Sequence, residues 1–181
     1  MSLVWIDAAM LEELEGAGRA SFRKRKHLNL HRDYSDPAQR LLNYVDVDSY
    51  IRPHCHVSAG CEETLIAVTG LFGVLTFQGD GAIEAVGLFG SELYLTEYRH
   101  PLSVIIGPNV WHSVLALSPG AVLLECKAGP FDPGAAKDFA SWAPAEGTAG
   151  AALYLAALRQ RCLEAAQPEL RSRLIAAAST D

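Results

Sequence analysis

Between residues 41 and 126 the chain breaks into nine short runs rich in branched and aromatic side chains: Leu41–Asp46, Ser49–Ile51, Thr64–Thr69, Leu71–Phe77, Ala82–Val86, Leu93–Glu97, Leu102–Ile106, Ser113–Leu117 and Ala121–Cys126. Turn residues separate them, and Gly79-Asp80-Gly81 and Pro119-Gly120 supply the positive φ that tight turns need. Many short strands with almost no helix between them can bury their apolar faces only by closing on each other. That predicts an antiparallel sandwich or barrel.

The flanks read differently. Asp7 is a plausible N-cap for a short helix with Met10, Leu11 and Leu14 on its apolar stripe, ended by Gly16 and Gly18. Residues 27–37 look irregular. After Cys126 comes a Gly/Pro/Ala-rich loop in which Phe131, Phe139 and Trp142 need burial. A helical tail follows over 150–178, with Leu153, Ala157, Leu163 and Leu174 among its apolar positions and Pro168 breaking it. The expected organisation is 1–38 as an N-terminal helix and basic segment packing on the barrel, 39–127 as the barrel, and 128–181 as loop and helical extension.

At 181 residues the chain suits a single domain with a substantial core. A net charge of −6 gives no general reason to expect nucleic acid as partner. The local basic run of Arg19, Arg23, Lys24, Arg25, Lys26 and Arg32 reads as solvated surface. Residues 1–20 carry Asp7, Glu12, Glu13 and Glu15 and do not read as a signal peptide, and no apolar run approaches the length that crosses a bilayer. Cys55, Cys61, Cys126 and Cys162 show no metal-site spacing and are expected as reduced thiols of a cytoplasmic protein.

The chemistry is concentrated in Arg52-Pro53-His54-Cys55-His56, followed by Glu62-Glu63. Alternation along a strand puts His54 and His56 on one face, ~7 Å apart, with Cys55 on the other. Alternation in the next run puts Glu63 with Leu65 and Ala67, and Glu62 away from them. A turn at Gly107-Pro108-Asn109 delivers His112 at the start of a later run. One histidine in a β-protein is usually only a hydrogen-bonded residue, and His27, His31 and His100 fit that description. The set His54, His56, Glu63 and His112 is more specific. Three imidazoles and a carboxylate suit one divalent transition metal (Zn, Fe, Mn, Ni or Cu) rather than Ca or Mg.

These residues resemble the cupin superfamily. Its first motif supplies two His and a Glu before a Gly, here Glu63 and Gly70, and its second supplies a His. The second motif departs from pattern, with Gly107 at the usual proline position and Asn109 at the usual glycine, a mild change because Asn tolerates a left-handed turn. More narrowly the chain resembles the WbuC family of cupin-fold metalloproteins. The matching segments are Asn29-Leu30-His31, Gln39 to Asn43, Arg52-Pro53-His54-x-His56, Glu63-Thr64, Trp111-His112, Glu125-Cys126-Lys127-x-Gly129-Pro130, and Lys137-Asp138-Phe139 through Gly147. The resemblance implies a mainly β cupin jelly-roll barrel with a short N-terminal helix and a helical C-terminal tail. It also implies a link to cell-surface polysaccharide, and it points to His31 and Asn29 at the barrel mouth.

Alternation further places Tyr50 and Arg52 on the face of the histidines unless Pro53 marks a bulge. An inward Arg is costly to bury without an anion. Arg52, with Arg40, is therefore expected either to bind a carboxylate or phosphate of a ligand or to form an internal ion pair, for instance with Glu125. The expected partner is a small anionic or sugar-like molecule, with no nucleic acid and no membrane, and a homodimer is compatible. Three functions remain open: a metal-dependent enzyme, a non-catalytic sensor using the same pocket, and a barrel whose metal is structural.

Overall fold

The computed structural model describes residues 3–56, 62–132, 134 and 137–178. Among the described residues ten strands form two five-stranded sheets. One has the order β1 (Arg25–Asn29), β2 (Ala38–Val45), β9 (Ala121–Ala128), β4 (Glu63–Thr69), β7 (Ser103–Ile106). The other runs β10 (Asp138–Phe139), β3 (His54–Cys55), β8 (Trp111–Ala116), β5 (Leu71–Phe77), β6 (Ile83–Gly90). Every pairing is antiparallel.

The facing sides of the sheets enclose Val45, Leu65, Ala67, Phe72, Val74, Phe89, Ile106, Val114, Ala116, Ala121 and Leu123. Phe72 and Phe89 stack there with centroids 5.2 Å apart, and truncating either is worth about 3–5 kcal/mol by burial and cavity formation. The outer sides are also apolar, which two sheets alone would leave wet. The outer side of the β8–β5–β6 sheet is covered by α3 (Ala149–Ala165) and α4 (Pro168–Ala178) through Leu155, Leu158, Cys162 and Leu170. The outer side of the other sheet is covered by α1 (Ala8–Ala20) through Leu14 against Leu42, Tyr44 and Val122.

Several local expectations hold. The Asp7 side chain accepts the Met10 N–H at the start of α1. Gly81 takes φ 91° in the β5–β6 hairpin and Asn109 takes φ 60° in the turn before His112. Pro168 opens α4 as its first residue, where a missing N–H is harmless.

Others are corrected. α1 runs through Gly16 and Gly18, because the Tyr44 ring occupies the space a Gly18 Cβ would need. Of the stretch 27–37 expected to be irregular, 27–29 belongs to a strand, β1, paired with β2 from Arg25↔Val45 to Asn29↔Leu41. Ser49–Ile51 is not a strand. Leu93–Glu97 lies in a helix, α2 (Glu92–Tyr98), which starts at Ser91 and ends at Arg99 in a left-handed conformation. Its Tyr94 and Tyr98, spaced i, i+4, meet with centroids 6.2 Å apart, so an apolar run short enough for a strand carried a helical period instead. In α3, Leu153 and Ala157 face solvent and Ala151, Leu155, Leu158 and Cys162 face the core. Arg25 is not solvated surface, since its guanidinium donates to Glu146, Ser49 and the Tyr50 carbonyl. Among the described residues no helix is long and apolar enough to cross a membrane, and Cys55, Cys126 and Cys162 are free; Cys61 lies outside the described residues.

Candidate metal centre

Three strands bring the four predicted ligands together. His54 on β3 is paired directly with His112 on β8, so their side chains share the inner face. His56 follows two residues after His54, and the Asn109 N–H donates to its carbonyl, which ties the β3 end to the turn that launches β8. Glu63 opens β4 on the facing sheet, buried, while Glu62 is exposed as alternation predicts. The result is a cluster whose ligand atoms all lie within 4.8 Å of one another, with each residue no more than 5% exposed.

The tautomers are set by backbone carbonyls. His54 Nδ1 lies 3.0 Å from the Arg52 carbonyl and His112 Nδ1 lies 2.8 Å from that of Val110. A carbonyl only accepts, so both Nδ1 atoms carry hydrogens and a neutral ring turns the Nε2 lone pair inward. This outer support is what fixes a histidine as a metal ligand.

Glu63 faces these lone pairs. Its Oε1 is 2.7 Å from His112 Nε2 and its Oε2 is 3.4 Å from His56 Nε2. The His112 contact is short but has no aligned N–H along it, so it is not a hydrogen bond that satisfies the nitrogen. Burial pushes His54 well below its ordinary pKa, reinforced by Lys137 and His112. Burial would raise Glu63, but its contacts with His112 and His56 outweigh that and hold it ionised, well below the usual carboxylate range. Donor atoms buried this close to an ionised carboxylate need a positive charge among them, a proton in the metal-free protein or a metal ion when one is bound. The donor set and its geometry therefore fit a divalent transition metal held by His54, His56, Glu63 and His112.

The other predicted site residues are placed differently. Arg52 donates through Nε and Nη2 to the Ala140 carbonyl and lies over the Phe139 ring at 5.9 Å. Its expected ion pair with Glu125 does not form, because Glu125 binds Lys127 at 2.6 Å and Asn43 at 2.9 Å. Tyr50 is not on the face of the histidines. It packs in the outer core under α3 and donates its hydroxyl to the Pro144 carbonyl, since the chain before Pro53 is not a strand and alternation does not apply to it. Arg40 is exposed on the side of β2 that carries Leu42 and Tyr44, away from the barrel interior. Asn29 stands opposite Leu41, on the inner side of β1, and is exposed. His31 is buried, and its Nδ1 accepts the Arg40 N–H.

What the residue reading missed is a polar row beside the ligands. Glu125 and Lys127 continue the inward alternation of Ala121 and Leu123 along β9, and Lys127 is paired in register with Glu63. Asn43 stands opposite Leu123 on β2 and donates to Glu125. Extending the alternation to the end of β9 would have found the row.

A family described as "Domain of unknown function (DUF6016)" matches residues 6–87, a stretch that holds His54, His56 and Glu63 and stops before His112. No curated protein matches the sequence. Among solved structures, an uncharacterized conserved protein with a double-stranded β-helix domain from Klebsiella pneumoniae is similar, with a TM-score of 0.52, 12% identity, and coverage of 78% of this chain and 99% of that one. A cupin 2 conserved barrel domain protein from Rhodopseudomonas palustris aligns with a TM-score of 0.44 and 15% identity over 64% of this chain and 66% of that one. The Lactobacillus farciminis oxalate decarboxylase aligns with a TM-score of 0.47 and 13% identity over 66% of this chain and 32% of that one. The two antiparallel sheets and the likeness at a TM-score of 0.52 give the chain the double-stranded β-helix, or cupin jelly-roll, fold.

Proposed function

We propose that the protein is a metal-dependent enzyme that holds one divalent transition metal with His54, His56, Glu63 and His112 and acts on a small polar molecule of sugar or nucleotide-sugar type. The observation that carries this reading is the 2.7 Å approach of His112 Nε2 to Glu63 Oε1, with the His112 Nδ1–H already committed to Val110. Atoms of this kind at that distance share a positive charge, a proton or the metal ion that would displace it. A bound metal of this class supplies Lewis-acid polarisation of a carbonyl or hydroxyl, or activation of water or O₂.

The chain's own residues supply the rest. The Arg52 and Val110 carbonyls hold the imidazole planes. Phe139, half exposed, lies 6.2 Å from the His54 ring and shields one side of the cluster while leaving it close to solvent. The Asn43–Glu125–Lys127 row puts hydrogen-bonding groups on the inner side of β2 and β9 near the ligands. A purely structural metal would have no use for a polar row on the barrel's inner wall. The segments shared with WbuC-type cupins support a sugar-linked substrate and a place in cell-surface polysaccharide chemistry.

Cobalt substitution tests the reading. Co(II)-loaded protein is expected to show the weak visible absorption of a five- or six-coordinate ion that shifts when imidazole is added, which requires an exchangeable position. An intense four-coordinate spectrum that no added ligand changes would identify a closed structural site.

A further inference from the structure

We infer that Lys137 is the anchor for an oxyanion, a carboxylate or phosphate, on the molecule that binds at the metal centre. The inference deepens the function proposed above and rests on it.

Lys137 precedes β10, where Phe139 is paired with His54 and Asp138 with Cys55. Continuing that register by one residue sets Lys137 opposite His56, and alternation puts it on the face of Phe139 and of the histidines. Its charge is felt by His54, and it interacts in turn with Glu63, Glu125 and Lys127, in agreement with that placement. The residue as a whole is exposed, yet protein around the ammonium lowers its pKa. Among the described residues no hydrogen bond or ion pair engages its Nζ, whereas the neighbouring Lys127 is committed to Glu125 at 2.6 Å.

The local charge defines what would meet it. Glu63 and Glu125 are balanced by Lys127 and Lys137, so a bound dication stands unneutralised in a site with little water around it. A neutral ligand would leave that excess in place. An oxyanion bridging the open side of the metal to Lys137 would remove it, with charge-assisted hydrogen bonds at the ammonium end. The predicted anion contact therefore moves from Arg52 and Arg40, whose side chains are engaged or face outward, to Lys137.

The test uses Co(II)-loaded full-length protein titrated with inorganic phosphate, with glycolate and with imidazole, following the visible band. Phosphate and glycolate separate the two oxyanion classes, and imidazole is the uncharged control. The wild type is expected to bind one of the anions. Lys137→Met is expected to weaken that anion by about tenfold or more, the loss of one hydrogen bond to a charged group, with imidazole affinity and metal content unchanged and Lys137→Arg restoring most of the loss. Equal anion affinity in wild type and Lys137→Met, or binding of imidazole but neither anion, would overturn the role of Lys137 and leave the open metal site standing. A cobalt spectrum unmoved by all three probes would overturn the proposed function as well.

Discussion

His112 Nε2 lies 2.7 Å from Glu63 Oε1, closer than an imidazole lone pair and an ionised carboxylate approach without something positive between them. In the metal-free protein a proton can fill that role, and a bound metal would displace it. Glu63 is the one anionic member of the four-residue cluster, so its charge matters most when a metal is bound. Glu63→Gln is expected to lower metal affinity by at least tenfold and, because the folded protein favours the ionised carboxylate, to lower the melting temperature of the metal-free protein as well. Thermal unfolding with and without added Zn(II) measures both. Unchanged metal affinity in Glu63→Gln would remove the carboxylate from the ligand set.

Acid should destabilise the metal-free protein through His54. Burial holds its folded pKa well below the ordinary value of about 6.5, so below that pH the unfolded chain takes up a proton that the folded chain refuses. The contribution is fully present above pH ~6.5 and is lost as pH falls, at up to about 1.4 kcal/mol per pH unit from this one group. Glu63, also depressed, adds to the loss only below its unfolded value of about 4.3. Urea unfolding at pH 7.5 and 5.5 should show the fall, and His54→Gln should flatten it. A slope unchanged by the substitution would assign the acid sensitivity elsewhere.

The barrel and the four ligands were legible because both follow from period-two alternation, which the sequence carries openly at His54, His56, Glu63 and Leu65. Alternation failed where the backbone is not a strand. Tyr50 precedes Pro53 in irregular chain, so counting by two sent it to the wrong face. It also failed at Glu92–Tyr98, where a short apolar run fits either period and the chain is a helix. Lys137 was quoted only as part of a signature, since its place depends on β10 pairing with β3 across more than eighty residues of intervening chain. No local pattern encodes that contact.

Arg52 should prove to be a structural residue. Its guanidinium holds the Ala140 carbonyl with two donors and covers Phe139. Arg52→Ala is expected to cost about 1–3 kcal/mol in urea unfolding, the range for hydrogen bonds to a charged group, with metal content and anion affinity as in wild type. Loss of anion binding without loss of stability would return Arg52 to the ligand.

The seat of α3 on the barrel depends on Gly73. A Cβ there would meet Cys162 Sγ and contact Leu115, both part of the outer core. Gly73→Ala is expected to destabilise by about 1–3 kcal/mol through overpacking. Pairing it with Cys162→Ala, which vacates the space, should recover part of the loss in a double-mutant cycle. Additive effects would show that the helix shifts freely.

The most direct test is elemental analysis of protein purified without chelators or a metal column, before and after reconstitution with Zn(II), Fe(II), Mn(II) and Ni(II), comparing wild type with His112→Ala and His56→Ala. The account predicts close to one transition-metal ion per chain in the wild type and almost none in either variant, with both variants still folded by circular dichroism. Wild-type protein that stays metal-free after reconstitution, or variants that retain the ion, would contradict it.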